Sequence, residues 1–208
     1  MEATPRDEAE PRSVGYERTV AFSDGVFAIA ITLLVLGIEV PHVPAAQLTD
    51  AIGELGPSIL SYFIGFAVIG LFWMEHHRFF EELSSFDARL VRLNLVYLSL
   101  IAVMPFTTGL LGSYGSEPLA VTTYAADVAG TALAELAMTM LAVHTGLLVA
   151  DARRGRDRLV MGLVVPLVFC VSIPIAYVDA SAAKWFWLSL AVVPRVLRHA
   201  GLTGRRGP

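Results

Sequence analysis

Residues 18–36 read Arg18-Thr19-Val20-Ala21-Phe22-Ser23-Asp24-Gly25-Val26-Phe27-Ala28-Ile29-Ala30-Ile31-Thr32-Leu33-Leu34-Val35-Leu36. One acid, Asp24, stands near the start of a mostly apolar stretch, which continues to Val40 with Glu39 at its outer end. A spanning helix needs about 20 mostly apolar residues, each rising about 1.5 Å through about 30 Å of hydrocarbon. This stretch meets that length, so it reads as a first transmembrane helix over 19–40. Five further runs of the same kind follow, at 58–76, 91–112, 122–149, 159–178 and 182–198. The whole chain of 208 residues is 55% apolar and 16% charged, with mean hydropathy +0.63. That is too oily for a soluble domain with an ordinary polar surface. The fold class expected is all-α, an integral membrane protein of six transmembrane helices.

Turn signals separate the runs: Pro41 and Pro44, the segment 112–118, Arg153-Arg154-Gly155-Arg156, and 179–181. The second run has the least distinct end, because Glu75, His76, His77 and Arg78 follow Trp73 directly and can carry that helix into the cytoplasm. The division expected is a polar cytoplasmic tail over 1–17, a membrane domain over 18–198 and a cytoplasmic tail over 199–208. Residues 1–17 hold no apolar core of a signal peptide, and the first apolar run is too long to be one.

Basic residues are retained on the cytoplasmic side. Arg6, Arg12 and Arg18 precede the first run. Arg78, Arg89 and Arg92 fall between the second and third, Arg153, Arg154, Arg156 and Arg158 between the fourth and fifth, and Arg195, Arg198, Arg205 and Arg206 at the end. Lys184 alone falls elsewhere. Six helices with both termini cytoplasmic place nearly all positive charge on one side, whereas five or seven would break the pattern. Pro105, Pro166 and Pro174 interrupt apolar runs, which neighbouring helices can accommodate. Tyr62, Tyr97, Tyr114, Tyr124, Tyr177, Trp185 and Trp187 mostly lie near run ends, as interfacial anchors do. Cys170 has no partner for a disulfide and reads as inert packing. The net charge of −4 and the lack of a basic, aromatic-studded face give no ground for nucleic-acid binding.

A carboxylate inside a membrane helix costs about 2.5–3.5 kcal/mol on insertion scales, so Asp24 should face protein or water. Ser23 and Asp24 can simply cap or polarise the cytoplasmic end of the helix. Arg18 and Asp24 are six apart and do not face each other along it. Partners must come from elsewhere, and His76, His77 and Asn94 are the polar candidates near the same membrane face.

Arg18-x-x-x-Phe22-Ser23-Asp24, followed by a helix of small and branched apolar residues with one threonine, resembles the signature of the transmembrane protein 175 potassium channel family in its short bacterial form. Trp73-Met74-x-His76-His77-Arg78, and Asn94 followed by Pro105-Phe106, extend the resemblance over about 18–110. It implies a homotetramer in the plasma membrane, with the first helix of each copy around a central axis and permeant K+ passing between them without a cofactor. It implies pore positions at Ile29, Thr32 and Leu36. Helical geometry agrees, since residues at i, i+3 and i+7 lie within about 60° of one another, so that Ile29, Thr32, Leu33 and Leu36 form one stripe. Asp24 lies about 140° from Ile29 and should serve packing. Taken alone, such an aliphatic stripe would face the core or lipid; the resemblance turns it into a pore lining. No carbonyl filter of the Thr-Val-Gly-Tyr-Gly type is present, so selection would rest on a hydrophobic constriction and on the Thr32 hydroxyl. The motif residues Arg18, Phe22, Ser23 and Asp24 are expected to grip the second and third helices, with His77 as favoured polar partner, and Asp24→Asn to impair assembly. Glu39 can concentrate cations at the outer end or simply be solvated.

The fourth run carries Asp127, Glu135 and His144. Ionisable groups within a membrane are functional candidates by default. They can bond neighbouring helices or form a proton relay, and the latter gives the alternative reading, a proton-coupled secondary carrier. No repeat relates the first three runs to the last three, as many carriers would show. A scaffold or an intramembrane enzyme is a weaker option, since no nucleophile elbow, phosphate loop or dinucleotide fingerprint occurs. His76 and His77 are adjacent, point in different directions on a helix and lack further ligands at metal-binding spacing.

Overall fold

The computed structural model describes residues 10–85, 87–148, 159 and 161–191. The described residues are helical almost throughout. Helix α1 spans Glu10–Leu33 and tightens into a 3₁₀ segment at Leu34–Gly37; α2 is the short Leu48–Glu54. Then follow α3 (Gly56–Glu81), α4 (Ala88–Ser113), α5 (Pro118–Thr145), α6 (Val164–Val178) and α7 (Ala180–Trp187), the last continued by a 3₁₀ turn at Leu188–Ala191.

Four of these stretches are long and apolar enough to cross a membrane: Gly15–Gly37, Gly56–Glu81, Ala88–Ser113 and Pro118–Thr145. Helix α6 is apolar but shorter, at 15 residues. The end of the sixth run, beyond residue 191, lies outside the described residues, as do the arginine cluster at 153–158, residues 1–9 of the first tail and all of the last. Of six expected spans, the described residues therefore give four full ones and a shorter fifth. The element that hydropathy did not announce is α2, which buries none of its residues.

The helices pack in chain order. α1 rests on α3 and α4, α4 on α5, α5 on α6, and α6 on α7. Without a hydrophobic force between helices in lipid, close approach of small residues does much of the work. Helix α5 follows that rule, burying Ala125, Ala129, Ala132 and Ala142 between its neighbours. Gly65 of α3 marks the tightest crossing. A Cβ built there would lie 2.7 Å from Thr108 Cγ2 and 3.0 Å from Leu34 Cδ2, so α1, α3 and α4 meet at this one point. Thr108 is β-branched and stiff at χ1. Gly65→Ala should therefore cost about 1–3 kcal/mol through overpacking, read as a lower midpoint in thermal unfolding of the detergent-solubilised protein.

Side-chain caps fix the turns. Asp87 accepts from the Arg89 and Leu90 amides at 3.0 and 2.9 Å to start α4, and Asp179 accepts from Ser181 and Ala182 at 2.7 and 3.1 Å to start α7. Helix α5 ends at Gly146, whose φ of 68° is left-handed, with Leu147 N–H reaching back to the Ala142 carbonyl at 2.9 Å. That turn offers the Leu147 carbonyl to the α3–α4 loop. Ser84 donates to it twice, from its amide at 2.8 Å and its hydroxyl at 2.9 Å.

Some expectations need correction. Pro166 falls in the first turn of α6, where its missing donor matters least; Pro105 and Pro174 are truly internal to α4 and α6. Tyr97 and Tyr124 are buried in the bundle, not interfacial, whereas Tyr114, Tyr177 and Trp185 are exposed near helix ends. Cys170 is exposed on α6 and contributes no core packing.

Candidate functional site: the two faces of the first helix

Helix α1 has a sharply divided surface. Ser23, Phe27, Ala30 and Leu34 are buried at spacings of four, three and four, the period of one helical stripe. On the far side Ile29 is 60% exposed and Leu36 72%, with Leu33 and Thr32 also exposed. In a single chain, then, the stripe expected from the sequence is the side of α1 turned away from the other helices. The 3₁₀ segment rotates each residue by about 120° instead of 100°, which keeps Leu36 near Leu33 and moves Val35 about 90° round from Ile29.

Thr32 has a specific local bond. Its hydroxyl donates to the Ile29 carbonyl at 2.8 Å. With the proton used inside the helix, the oxygen's remaining lone pairs are left for an acceptor role.

The buried stripe is fastened by a polar chain through three helices. Ser23 Oγ donates to the Thr19 carbonyl at 2.9 Å and accepts from Asn94 Nδ2 at 3.0 Å. Asn94 Oδ1 in turn lies 2.8 Å from His76 Nε2. Since a carbonyl oxygen only accepts, this arrangement makes Nε2 the protonated nitrogen of His76. The ring stacks on Tyr97 at 5.4 Å with 12° between planes, while Phe80 and Phe27 close its other sides at 4.5 and 5.5 Å. All three polar residues are buried, so each bond replaces water that cannot reach them.

Asp24 lies beside this chain and accepts from Trp73 Nε1 at 2.9 Å. Trp73 stacks on His77 at 5.7 Å, and His77 Nε2 lies 3.2 Å from Glu81 on the exposed side of α3. The histidine that joins the serine is therefore His76, not His77. One residue along a helix turns a side chain by about 100°, and only His76 shares the buried face of Ile69, Phe72 and Phe79. Arg18 is exposed, and Phe22, 55% exposed, lies seven residues before Ile29 on its side of the helix. Of the four motif residues, then, Ser23 and Asp24 reach α3 and α4, while Phe22 faces away from them. Tyr16, unmarked by the sequence reading, adds a bond from its hydroxyl to the Phe80 carbonyl at 2.8 Å.

The Trp73 bond also changes the expectation for Asp24→Asn. An amide oxygen accepts as a carboxylate does, so this variant should lose less than about 1 kcal/mol, whereas Asp24→Ala orphans the indole N–H and loses more. Thermal unfolding of both variants side by side checks the order.

The ionisable residues of α5 are spread out. Asp127 is buried with Oδ2 2.7 Å from the Thr107 hydroxyl, which also lies 3.1 Å from the Met104 carbonyl; one proton can serve only one of these acceptors at a time. Glu135 is half-buried eight residues on, about 12 Å along the axis. That is too far for direct proton transfer. His144 is exposed in the last turn.

A profile of the family described as endosomal/lysosomal potassium channel TMEM175 matches residues 18–105. These residues cover the membrane part of α1, all of α3 and α4 as far as Pro105. A protein of Streptomyces collinus named as a potassium channel is 36% identical over 174 residues, covering 78% of this chain and 83% of that one. A Mus musculus protein named as endosomal/lysosomal proton channel TMEM175 is 32% identical over 130 residues, covering 55% of this chain and 26% of the other. Among solved structures, a lysosomal potassium-selective channel TMEM175 homologue from Chamaesiphon minutus superposes with TM-score 0.77 at 28% identity, covering 86% of this chain and 96% of that one.

Proposed function

We propose, from the fact that this chain belongs to the TMEM175 potassium channel family, that it forms a homotetrameric, potassium-permeable cation channel of the plasma membrane, lined by α1. The family is one of channels and not of enzymes. The observation that carries the reading is the uncovered apolar face of α1 with Thr32 in it. Exposure by itself does not choose between lipid and pore, since α3 also exposes Leu60, Phe63 and Phe66. The α1 face also holds a hydroxyl whose proton is already engaged, leaving oxygen lone pairs for a cation; Ser99 on the exposed face of α4 is bonded likewise, so the choice of α1 rests on the family resemblance.

In this reading Ile29, Leu33 and Leu36 form apolar rings that dewet when narrow, and four Thr32 oxygens replace part of the hydration shell of a passing ion. A single α1 cannot enclose a pore, and one copy of the motif per chain calls for several subunits, four being the number that the family resemblance implies. Both termini are cytoplasmic, following the arginines. No cofactor takes part.

Recording from purified protein in planar bilayers, with the oligomer's mass measured in detergent, tests the proposal. A strict monomer that conducts sinks the architecture, and a saturable, pH-coupled flux sinks the channel in favour of the carrier. Thr32→Ala should lower the preference for K+ over Na+ while conduction persists, seen as a shift of the bi-ionic reversal potential. Proton permeation through the same pore is a second reading, favoured by relatives named as proton channels, and a pH gradient across the same bilayer measures it.

A further inference from the structure

Away from α1, a cavity of about 580 Å³ opens between α3 and α7 at the end of the bundle that carries Lys184. Its α3 wall runs from Pro57 to Val68, a rise of about 16 Å along the helix. One leaflet contributes about half of the roughly 30 Å hydrocarbon core, so the cavity is as deep as a leaflet. Its volume lies within the range of about 300–1,000 Å³ usual for ligand sites.

The walls are mainly apolar, with Ile64 on one side and Trp187 on the other. Three serines, Ser61, Ser113 and Ser116, and one cation break that surface. Lys184 Nζ donates to the Gly115 carbonyl at 2.7 Å, which occupies one of its three protons, and among the described residues no carboxylate pairs with it. Deeper in, Trp187 stands one turn beyond Lys184 on α7, and the Tyr124 ring, fully buried, lies 5.3 Å from the Trp187 ring.

We infer that this cavity binds an anionic phospholipid, with one acyl chain lying along α3 and the phosphate at Lys184. A cation at the mouth of an apolar slot selects a negative headgroup over a zwitterionic one. A second copy of this chain would leave the Lys184 ammonium buried against apolar surface, which is costly.

Native mass spectrometry of the full-length protein tests the inference, after incubation in mild detergent with equal amounts of a phosphatidylglycerol and a phosphatidylcholine of the same chains. The wild type should retain about one phosphatidylglycerol per subunit, preferred over phosphatidylcholine by roughly fivefold. Lys184→Gln should abolish the preference and Lys184→Arg keep it. Ile64→Trp, which fills the slot, should reduce retention of both lipids. The oligomer mass in the same spectra reports whether each variant is folded. Equal retention of the two lipids by the wild type overturns the inference, as does undiminished retention by folded Ile64→Trp. Absence of bound lipid from a wild-type oligomer overturns it too.

Discussion

Ile29→Asn should raise the basal current by roughly tenfold or more if Ile29 forms the proposed constriction, because a polar ring there removes the barrier to wetting. The substitution is structurally mild, since Ile29 is 60% exposed in the single chain and makes no part of the buried stripe through Ser23, Phe27, Ala30 and Leu34. A changed current can therefore be read as a change in the pore and not in the fold. Val35 supplies the internal control. It is also exposed, but the 3₁₀ winding of Leu34–Gly37 places it about 90° from Ile29, beyond the Thr32 edge of the stripe, so Val35→Asn should raise the current much less. If Val35→Asn and Ile29→Asn give the same current in bilayers, the pore face has been assigned to the wrong side of α1.

Asn94→Leu should damage the fold strongly. It removes the donor to Ser23 and the acceptor of His76 at once, in a site where both partners are buried. Orphaning a buried polar group costs about 1–3 kcal/mol in proteins generally, whereas hydrogen bonds between membrane helices average only about 0.6 kcal/mol because the unfolded chain finds other partners. Here the larger effect should win. His76 is enclosed by Tyr97, Phe80 and Phe27, and the Leu side chain offers its Nε2–H nothing, so a loss of about 2 kcal/mol is expected. The yield of intact oligomer and its unfolding midpoint in a denaturing detergent titration measure it. Asn94→Asp keeps the acceptor and should fall between the two; an Asn94→Leu variant as stable as the wild type would show that the polar chain does not fasten α1.

The long helices were legible because membrane solvent imposes length and oiliness together, and nothing else in a chain of this size produces several such runs. Their ends were less so. Helix α1 starts at Glu10, well before its apolar stretch, since a helix leaving the membrane can continue through polar residues such as Glu17 and Arg18. Helix α2 carries no membrane signal, being short and exposed, and so was missed. The stripe at Ile29, Thr32, Leu33 and Leu36 followed from spacing plus family resemblance, because spacing says which residues share a face but not what that face meets. The choice between His76 and His77 was within reach of the sequence. Counting back from Phe79 through Phe72 to Ile69 puts His76 on the apolar face and His77 off it. What spacing could not give was the partner of Asp24, since an indole on another helix becomes a neighbour only through packing.

The clasp between Ser84 and Leu147 has a consequence for isotope exchange. An amide in a short connecting loop ordinarily trades its hydrogen with solvent almost as fast as an unstructured peptide. The Ser84 amide is tied instead to a carbonyl 63 residues further along the chain, at the end of a different helix. Its deuterium uptake therefore depends on how often α5 and the α3–α4 loop part company, a local opening with its own free energy. A single peptide covering that loop can act as a clock for the parting of the α3–α4 loop from the end of α5, one that runs without a ligand, a label or a current.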